Sequence, residues 1–146
     1  ALILDVPANV TEDVISFPIT FTHMAGVRGE WSFNLAVEKL PFKQQMINQQ
    51  VTSKNKELSI TFDDIQIGQT NARISYTANF ESTIEGQTYT FEFYHMNGEK
   101  INFNQMSDAT LLVELPKDTT SIKIVPILEI NRTKTEQLKP ITIDLN

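Results

Sequence analysis

Apolar and polar residues alternate along most of this chain, and a two-residue period is typical of β-strands that bury one face. Since each run has one apolar and one polar side, the pattern predicts antiparallel sheets with one solvated face. The clearest runs have these apolar members: Phe17, Ile19 and Phe21; Trp31, Phe33, Leu35 and Val37; Ile74, Tyr76, Ala78 and Phe80; Tyr89, Phe91 and Phe93; Leu111, Val113 and Leu115; and Ile141, Ile143 and Leu145.

Two runs break the alternation. Apolar residues occupy even positions in 58–62 and odd positions in 65–67, so a β-bulge at Asp63-Asp64 would return both halves to the core face. Pro126 interrupts a later apolar run, and because proline has no N–H to donate, this strand should lie at a sheet edge or change partner there. The following large side chains should then be mostly buried: Trp31, Phe33, Ile60, Phe62, Tyr76, Phe80, Phe91 and Phe93.

Turn-forming residues separate the runs. Asn97-Gly98 suits a tight hairpin, and further turns are indicated at 68–71, 85–87 and 116–120. From residue 57 onward the pattern predicts roughly seven strands in about 90 residues, which is typical of an immunoglobulin-like fold. We therefore predict an all-β protein, an antiparallel immunoglobulin-like β-sandwich with an additional N-terminal β segment.

Two regions are predicted, an N-terminal β segment over 1–43 and the sandwich over 44–146. The first carries about three strands, which rarely form an independent core, so it either extends the sandwich or is the tail of a preceding β domain. Burial of Trp31 against Phe62 or Phe80 would favour one module; an exposed ring would be the best binding-site candidate. The Gln-rich stretch 41–53 is interpreted as a linker or short helical turn. The three predicted N-terminal strands are Leu2–Val6, Val14–Thr22 and Trp31–Glu38.

The amino-acid composition and net charge disfavour some classes of binding partner. The 146 residues are 40% hydrophobic and 21% charged, which is typical of a globular chain. A formal net charge of -6 disfavours nucleic acid and anionic membranes as partners. No apolar run approaches the ~20 residues of a membrane-spanning helix, so direct membrane insertion by this segment is not expected. The sequence contains no cysteine, which excludes disulfides and thiolate chemistry.

Catalytic and metal-binding motifs are weak. His23 and His95 each follow an alternating run and should lie at strand ends, and no G-x-S-x-G or phosphate-binding motif occurs. We therefore predict no catalytic residues, no metal site, no cofactor and no enzymatic activity. The carboxylate pairs Glu12-Asp13 and Asp63-Asp64 leave calcium binding open. The N-glycosylation patterns at Asn9 and Asn131 are interpreted as coincidental.

Three stretches together resemble a known family. Gly29–Phe33 is followed by Leu58–Phe62 and later by Leu115–Pro126. The combination resembles the extracytoplasmic region of Gram-positive membrane proteins of largely unknown function, described as anti-sigma-factor-like negative effectors of extracytoplasmic-function sigma factors. The resemblance implies a β-rich ectodomain with an immunoglobulin-like C-terminal part, preceded in the full-length protein by a transmembrane helix. It carries no functional residue across.

Three functions remain open from the sequence. The first is a non-catalytic extracellular sensing or scaffolding domain, tethered to the cell membrane in the full-length protein and acting through protein or cell-envelope contacts. The second is an immunoglobulin-like adhesion or spacer module of a bacterial surface protein. The third is a carbohydrate-binding or carbohydrate-active β-sandwich, which two facing carboxylates and exposed aromatic rings would favour. The sequence indicates no particular binding residues, oligomeric state or signal.

Overall fold

A computed structural model describes residues 11–82 and 85–146, without the side chains of Lys134 and Thr135. Every strand pairing in these residues is antiparallel, and they contain no helix, which confirms the all-β prediction. The predicted strand Leu2–Val6 lies outside the described residues. The strands are β1 Val14–Met24, β2 Val27–Glu38, β3 Lys43–Thr52, β4 Leu58–Ile67, β5 Asn71–Phe80, β6 Gln87–Tyr94, β7 Lys100–Ile101, β8 Phe103–Ser107, β9 Thr110–Glu114, β10 Ser121–Ile130, β11 Thr133–Gln137 and β12 Ile141–Asp144.

The chain divides into two compact units, Ala1–Pro41 and Phe42–Asn146. Within the described residues, the first unit consists of the β1–β2 hairpin, whose two strands pair from Val14 opposite Glu38 to Met24 opposite Val27. The second unit holds two five-stranded sheets. The boundary predicted from the sequence, between residues 43 and 44, lies two residues after this one.

The two sheets of the second unit form an immunoglobulin-like sandwich. Sheet I has the order β3-β4-β5-β9-β8, and in sheet II β10 lies between β6 and the pair β11 and β12, with β7 outside β6. If β4 is taken as strand A, then β4-β5-β9-β8 reproduces the A-B-E-D sheet, and β11/β12-β10-β6 reproduces G-F-C. The strand β3 is an addition at the edge of sheet I.

The core lies between these two sheets. Its aromatic centre joins Phe62 of sheet I to Phe91 of sheet II, with ring centroids 6.0 Å apart and an edge-to-face angle of 67°. Five of the eight predicted core residues are buried, and Phe80 is half-buried against the same cluster. The confirmed five are Ile60, Phe62, Tyr76, Phe91 and Phe93.

The bulge predicted at Asp63-Asp64 is present. Phe62 pairs with Tyr76 and Asp64 with Ser75, so Asp63 is the extra residue of β4. Because the bulge shifts the phase by one, Ile65 returns to the core, where it is completely buried. The neighbouring edge strand β3 is also irregular opposite this point, between Met46 and Gln49.

Pro126 changes strand partners, as predicted, but β10 is an interior strand and not an edge. On one side β10 pairs continuously with β6; on the other it pairs with β12 before the proline and with β11 after it. The Pro126 carbonyl accepts a hydrogen bond from the Leu138 amide, 2.9 Å away. The N and C=O of one strand residue point to the same side of the strand. The N–H that Pro126 lacks would therefore have pointed toward the place where β12 ends and β11 begins as the partner of β10.

Two further expectations are wrong. The stretch 41–53 is neither a linker nor a helical turn, because Lys43–Thr52 forms β3, whose Val51 is buried and whose Ile47 packs against the core. Its irregularity hides the alternation from the sequence. Phe33 is 48% exposed and Trp31 only half-buried. Both residues lie on the β1–β2 hairpin. There the alternation shows which side chains share a face, but not whether another layer of the protein covers that face.

Candidate binding surface

The β1–β2 hairpin presents one continuous apolar face. The antiparallel register places the apolar residues of β1 directly opposite those of β2, so that all eight side chains lie on the same side of the ribbon. We call this set the hairpin face. The four facing pairs are Ile15 with Val37, Phe17 with Leu35, Ile19 with Phe33, and Phe21 with Trp31.

Much of the hairpin face is exposed. Phe21, Phe33, Leu35 and Val37 are each 41–48% exposed, and the other four members are half-buried. Contiguous apolar patches larger than a few hundred Å² are uncommon on soluble monomers and mark interaction sites. A two-stranded ribbon is also marginally stable alone in water, so covering this face would stabilise it.

The hairpin has a defined shape near its turn. Ala25 and Gly26 both have positive φ, 49° and 80°, which matches the twist of a tight two-residue hairpin. The Trp31 ring lies over Gly29 of its own strand, where a Cβ would come within 2.5 Å of the indole. Phe21 and Phe33 meet edge to face, with centroids 6.1 Å apart. The end of the hairpin face nearest the turn is therefore aromatic.

The opposite side of the hairpin, called the polar side below, is mixed but more polar. It carries Ser16, Thr20, Ser32, Asn34 and Glu38 beside Val14, Pro18 and Ala36. The Thr20 and Ser32 hydroxyls face each other across the strands, 3.0 Å apart. Asn34, next to Phe33 in the sequence, is exposed on this side. The contrast between the two sides means that a partner of the hairpin face would gain burial of apolar surface and few hydrogen bonds.

The two histidines lie near two different turns. His23 lies near the hairpin turn, with Nδ1 3.4 Å from the Thr22 hydroxyl. His95 lies in the β6–β7 turn, where its amide donates to the Glu99 carbonyl. No cluster of three or more histidine and carboxylate side chains suited to a metal ion occurs among residues 11–82 and 85–146.

The two carboxylate pairs lie in different settings, Asp63-Asp64 in the β4 bulge and Glu12-Asp13 just before β1. At the bulge, Asp64 accepts a hydrogen bond from the Ser75 hydroxyl at 3.2 Å, and Asp63 accepts one from Thr77 at 3.3 Å. Glu12 and Asp13 are exposed just before β1. These contacts explain the Asp63-Asp64 pair through the fold of β4 without requiring a ligand.

Among the residues that the structure describes, two shallow depressions lie on the sandwich. One, about 480 Å³, lies where the Asn131-Arg132 turn meets Gly86 and Gln87. There the Gln87 amide donates to Glu57 at 3.0 Å, while the buried Gln87 Oε1 has no partner. The other, about 360 Å³, is polar and lies between the turns that contain Asn97 and Asp118. The sequence predicted turns at 85–87, 97–98 and 116–120 but none at Asn131-Arg132.

Comparisons with known proteins support the fold alone. No protein-family model matches the sequence, and no curated protein matches it. The structure is similar to the crystal structure of a conserved domain protein from Bacillus anthracis, with a TM-score of 0.64 and 12% sequence identity. The match covers 92% of this chain and 62% of that chain, so this chain spans less than two thirds of that protein's length. No helix in the described part of the chain could span a membrane. The chain thus shares an all-β sandwich fold with this protein.

Proposed function

We propose that this chain is a non-catalytic sensing or scaffolding domain of a membrane-anchored, anti-sigma-factor-like regulator. It acts outside the cell membrane, through a protein contact made by the hairpin face. The observation that carries the proposal is the exposure of a contiguous apolar surface on a ribbon too small to bury it. The regulatory setting comes from the sequence resemblance alone.

The character of the surface favours a protein contact over a small ligand. Small-molecule sites are concave and combine apolar walls with a few converging polar groups. The hairpin face is a ribbon surface made only of apolar side chains, without hydrogen-bonding groups except the Trp31 indole. Exposed apolar surfaces of this kind match the buried centre of a protein interface, where aromatic residues are enriched.

A pair of substitutions in the gene of the full-length protein tests the proposal. Phe33→Asp places a charge on the hairpin face, and Asn34→Asp places the same charge on the polar side one residue away. We expect Phe33→Asp to change the transcript levels of the genes that the cognate sigma factor controls, with Asn34→Asp matching the wild type. The membrane fraction should contain equal amounts of both variants.

Two results would contradict the proposal. Unchanged transcript levels for Phe33→Asp and for a deletion of residues 14–38 would leave the hairpin without a regulatory role and favour a spacer module. A change in transcripts with Asn34→Asp as large as with Phe33→Asp would mean that added charge, not loss of the apolar face, causes the effect.

A further inference from the structure

We infer that the hairpin face binds a second copy of itself, so that two chains associate face to face through their β1–β2 hairpins. This inference rests on the proposed function, since it names the partner of the same surface. The resulting contact would be a small two-layer sandwich of four strands, each layer covering the apolar side of the other. Homodimers with two-fold symmetry are the commonest oligomers, and their interface uses one patch twice.

The hairpin face is shaped to fit itself. The bulky pair Phe21 and Trp31 lies at the turn end, and the smaller pair Ile15 and Val37 lies at the open end. A two-fold axis that lies in the interface and runs perpendicular to the strands reverses the strand direction. It therefore places the turn end of one copy over the open end of the other. Large side chains then meet small ones, which is how well-packed layers interdigitate.

The area is sufficient for a weak specific dimer. Aromatic side chains bury about 150–250 Å² each, and leucine and valine lie near the lower end of this range. With 41–48% exposure, the four exposed members together offer roughly 250–350 Å² per copy, and the half-buried four add to it. If all eight members are covered, two copies together approach about 1,000 Å², near the lower limit of specific interfaces.

Charge does not oppose the contact at its centre. None of the 12 basic and 18 acidic residues belongs to the hairpin face, so association leaves no buried unpaired charge. The formal net charge of -6 on each chain repels a second copy at long range. Salt screens that repulsion, with a Debye length of about 10 Å at 0.1 M, so the dimer should strengthen as salt is added.

Sedimentation equilibrium of the purified chain tests the inference. A small interface is expected to bind weakly, so micromolar concentrations are needed. Between about 5 and 300 µM, the wild type and Asn34→Asp should pass from monomer to dimer. Phe33→Asp should weaken association at least about tenfold, because the interface then loses the free energy gained by burying the Phe33 ring. A wild type that stays monomeric at the highest concentration overturns the inference, and so does equal weakening by Asn34→Asp.

The surface used in the dimer can be mapped directly, because the chain has no cysteine of its own. Leu35→Cys carries a thiol on the hairpin face, and Ala36→Cys carries one on the polar side of the same strand. A short bis-maleimide should link two copies of Leu35→Cys much faster than two copies of Ala36→Cys. The reverse order would mean that the copies meet by another surface, and the inference would be wrong.

The two proposals fail separately. A monomeric wild type together with a transcript change in Phe33→Asp would overturn the second copy as partner and leave the regulatory contact standing, with another protein as the occupant. A dimer that Phe33→Asp dissociates, without any transcript change, would uphold the self-association and overturn the regulatory role.

Discussion

The hydroxyl groups of Tyr76 and Tyr89 lie 3.2 Å apart and join the two sheets at the edge of the aromatic core. Their rings meet edge to face, with centroids 6.1 Å apart and an angle of 86°. Gln105, on the edge strand β8, donates a further hydrogen bond to the Tyr76 hydroxyl at 3.0 Å. The Tyr76 ring is only 1% exposed, so this network satisfies a phenol that water barely reaches.

Tyr76 should make the fold sensitive to alkali. Burial, reinforced by the neighbouring Tyr89 hydroxyl, raises the pKa of Tyr76 well above its usual value of 10. The unfolded chain therefore loses this proton first as the pH rises. The contribution to stability is complete below about pH 10 and is lost above it, with a slope of up to about 1.4 kcal/mol per pH unit.

Urea unfolding between pH 8 and 12 measures this slope. Tyr76→Phe removes the titrating group while keeping the ring, so its free energy of unfolding should fall less steeply above pH 10 than that of the wild type. Tyr94→Phe, which changes a tyrosine outside the core cluster, is the matched control. Equal slopes for the wild type and Tyr76→Phe would show that the buried phenol does not cause the alkaline loss.

Phe91 should be a major contributor to stability. It is 2% exposed and contacts the rings of Phe62, Tyr76 and Tyr89 from both sheets. Phe91→Ala should lower the free energy of unfolding by about 3–5 kcal/mol, because the ring is fully buried and leaves a cavity. Met96→Ala, at a 63% exposed turn position, should change it by less than about 0.5 kcal/mol. Denaturant midpoints of the two variants that coincide would mean that this core is not packed as described.

The sandwich was predictable because its sheets obey simple alternation. Most core strands bury one face, so periodicity identified them, and the phase slip at Asp63-Asp64 identified the bulge. The exception is β10, which is buried on both faces over 124–128. Turn residues then separated the strands. The immunoglobulin-like topology follows from strand count and spacing, since few arrangements of so many short antiparallel strands are common.

The exposure of the hairpin face was not predictable in the same way. Alternation in β1 and β2 reports which residues share a face, but not whether a second layer covers it, and Phe33 therefore looked like a core residue. Strand β3 was missed for a related reason. Asn48 has a positive φ of 48° within an irregular segment, so the apolar residues Met46, Ile47 and Val51 follow no single period.

Gly86 should tolerate alanine less well than Gly98. Both have positive φ, 79° and 91°, so alanine at either position pays the left-handed backbone strain of about 1–2 kcal/mol. At Gly86 the added Cβ would also overlap Asn131 Oδ1, whereas nothing lies within 4 Å at Gly98. The additional loss in the free energy of unfolding should be about 1–3 kcal/mol.

A double variant isolates the contact with Asn131. Asn131 has a φ of 51°, which glycine adopts freely, so Asn131→Gly alone should be nearly neutral. When it is combined with Gly86→Ala, Asn131→Gly should restore most of the extra stability that Gly86→Ala loses relative to Gly98→Ala. The coupling energy between the two substitutions should be favourable by about 1 kcal/mol or more. If the effects of the two substitutions on the free energy of unfolding simply add in urea experiments, the loss in Gly86→Ala comes from backbone strain alone and not from contact with Asn131.

The bulge in β4 should make one core-strand deletion unusually mild. Asp63 is the extra residue between the pairs Phe62–Tyr76 and Asp64–Ser75, so deleting it leaves regular alternation with both apolar halves inward. The loss should be about 1–2 kcal/mol, from the hydrogen bond to Asp63 and the adjustment of edge strand β3. Deleting Thr61 instead places Phe62 out of phase and should cost at least about 3–5 kcal/mol. If the urea midpoint falls equally in both deletions, the bulge does not set the register of this strand.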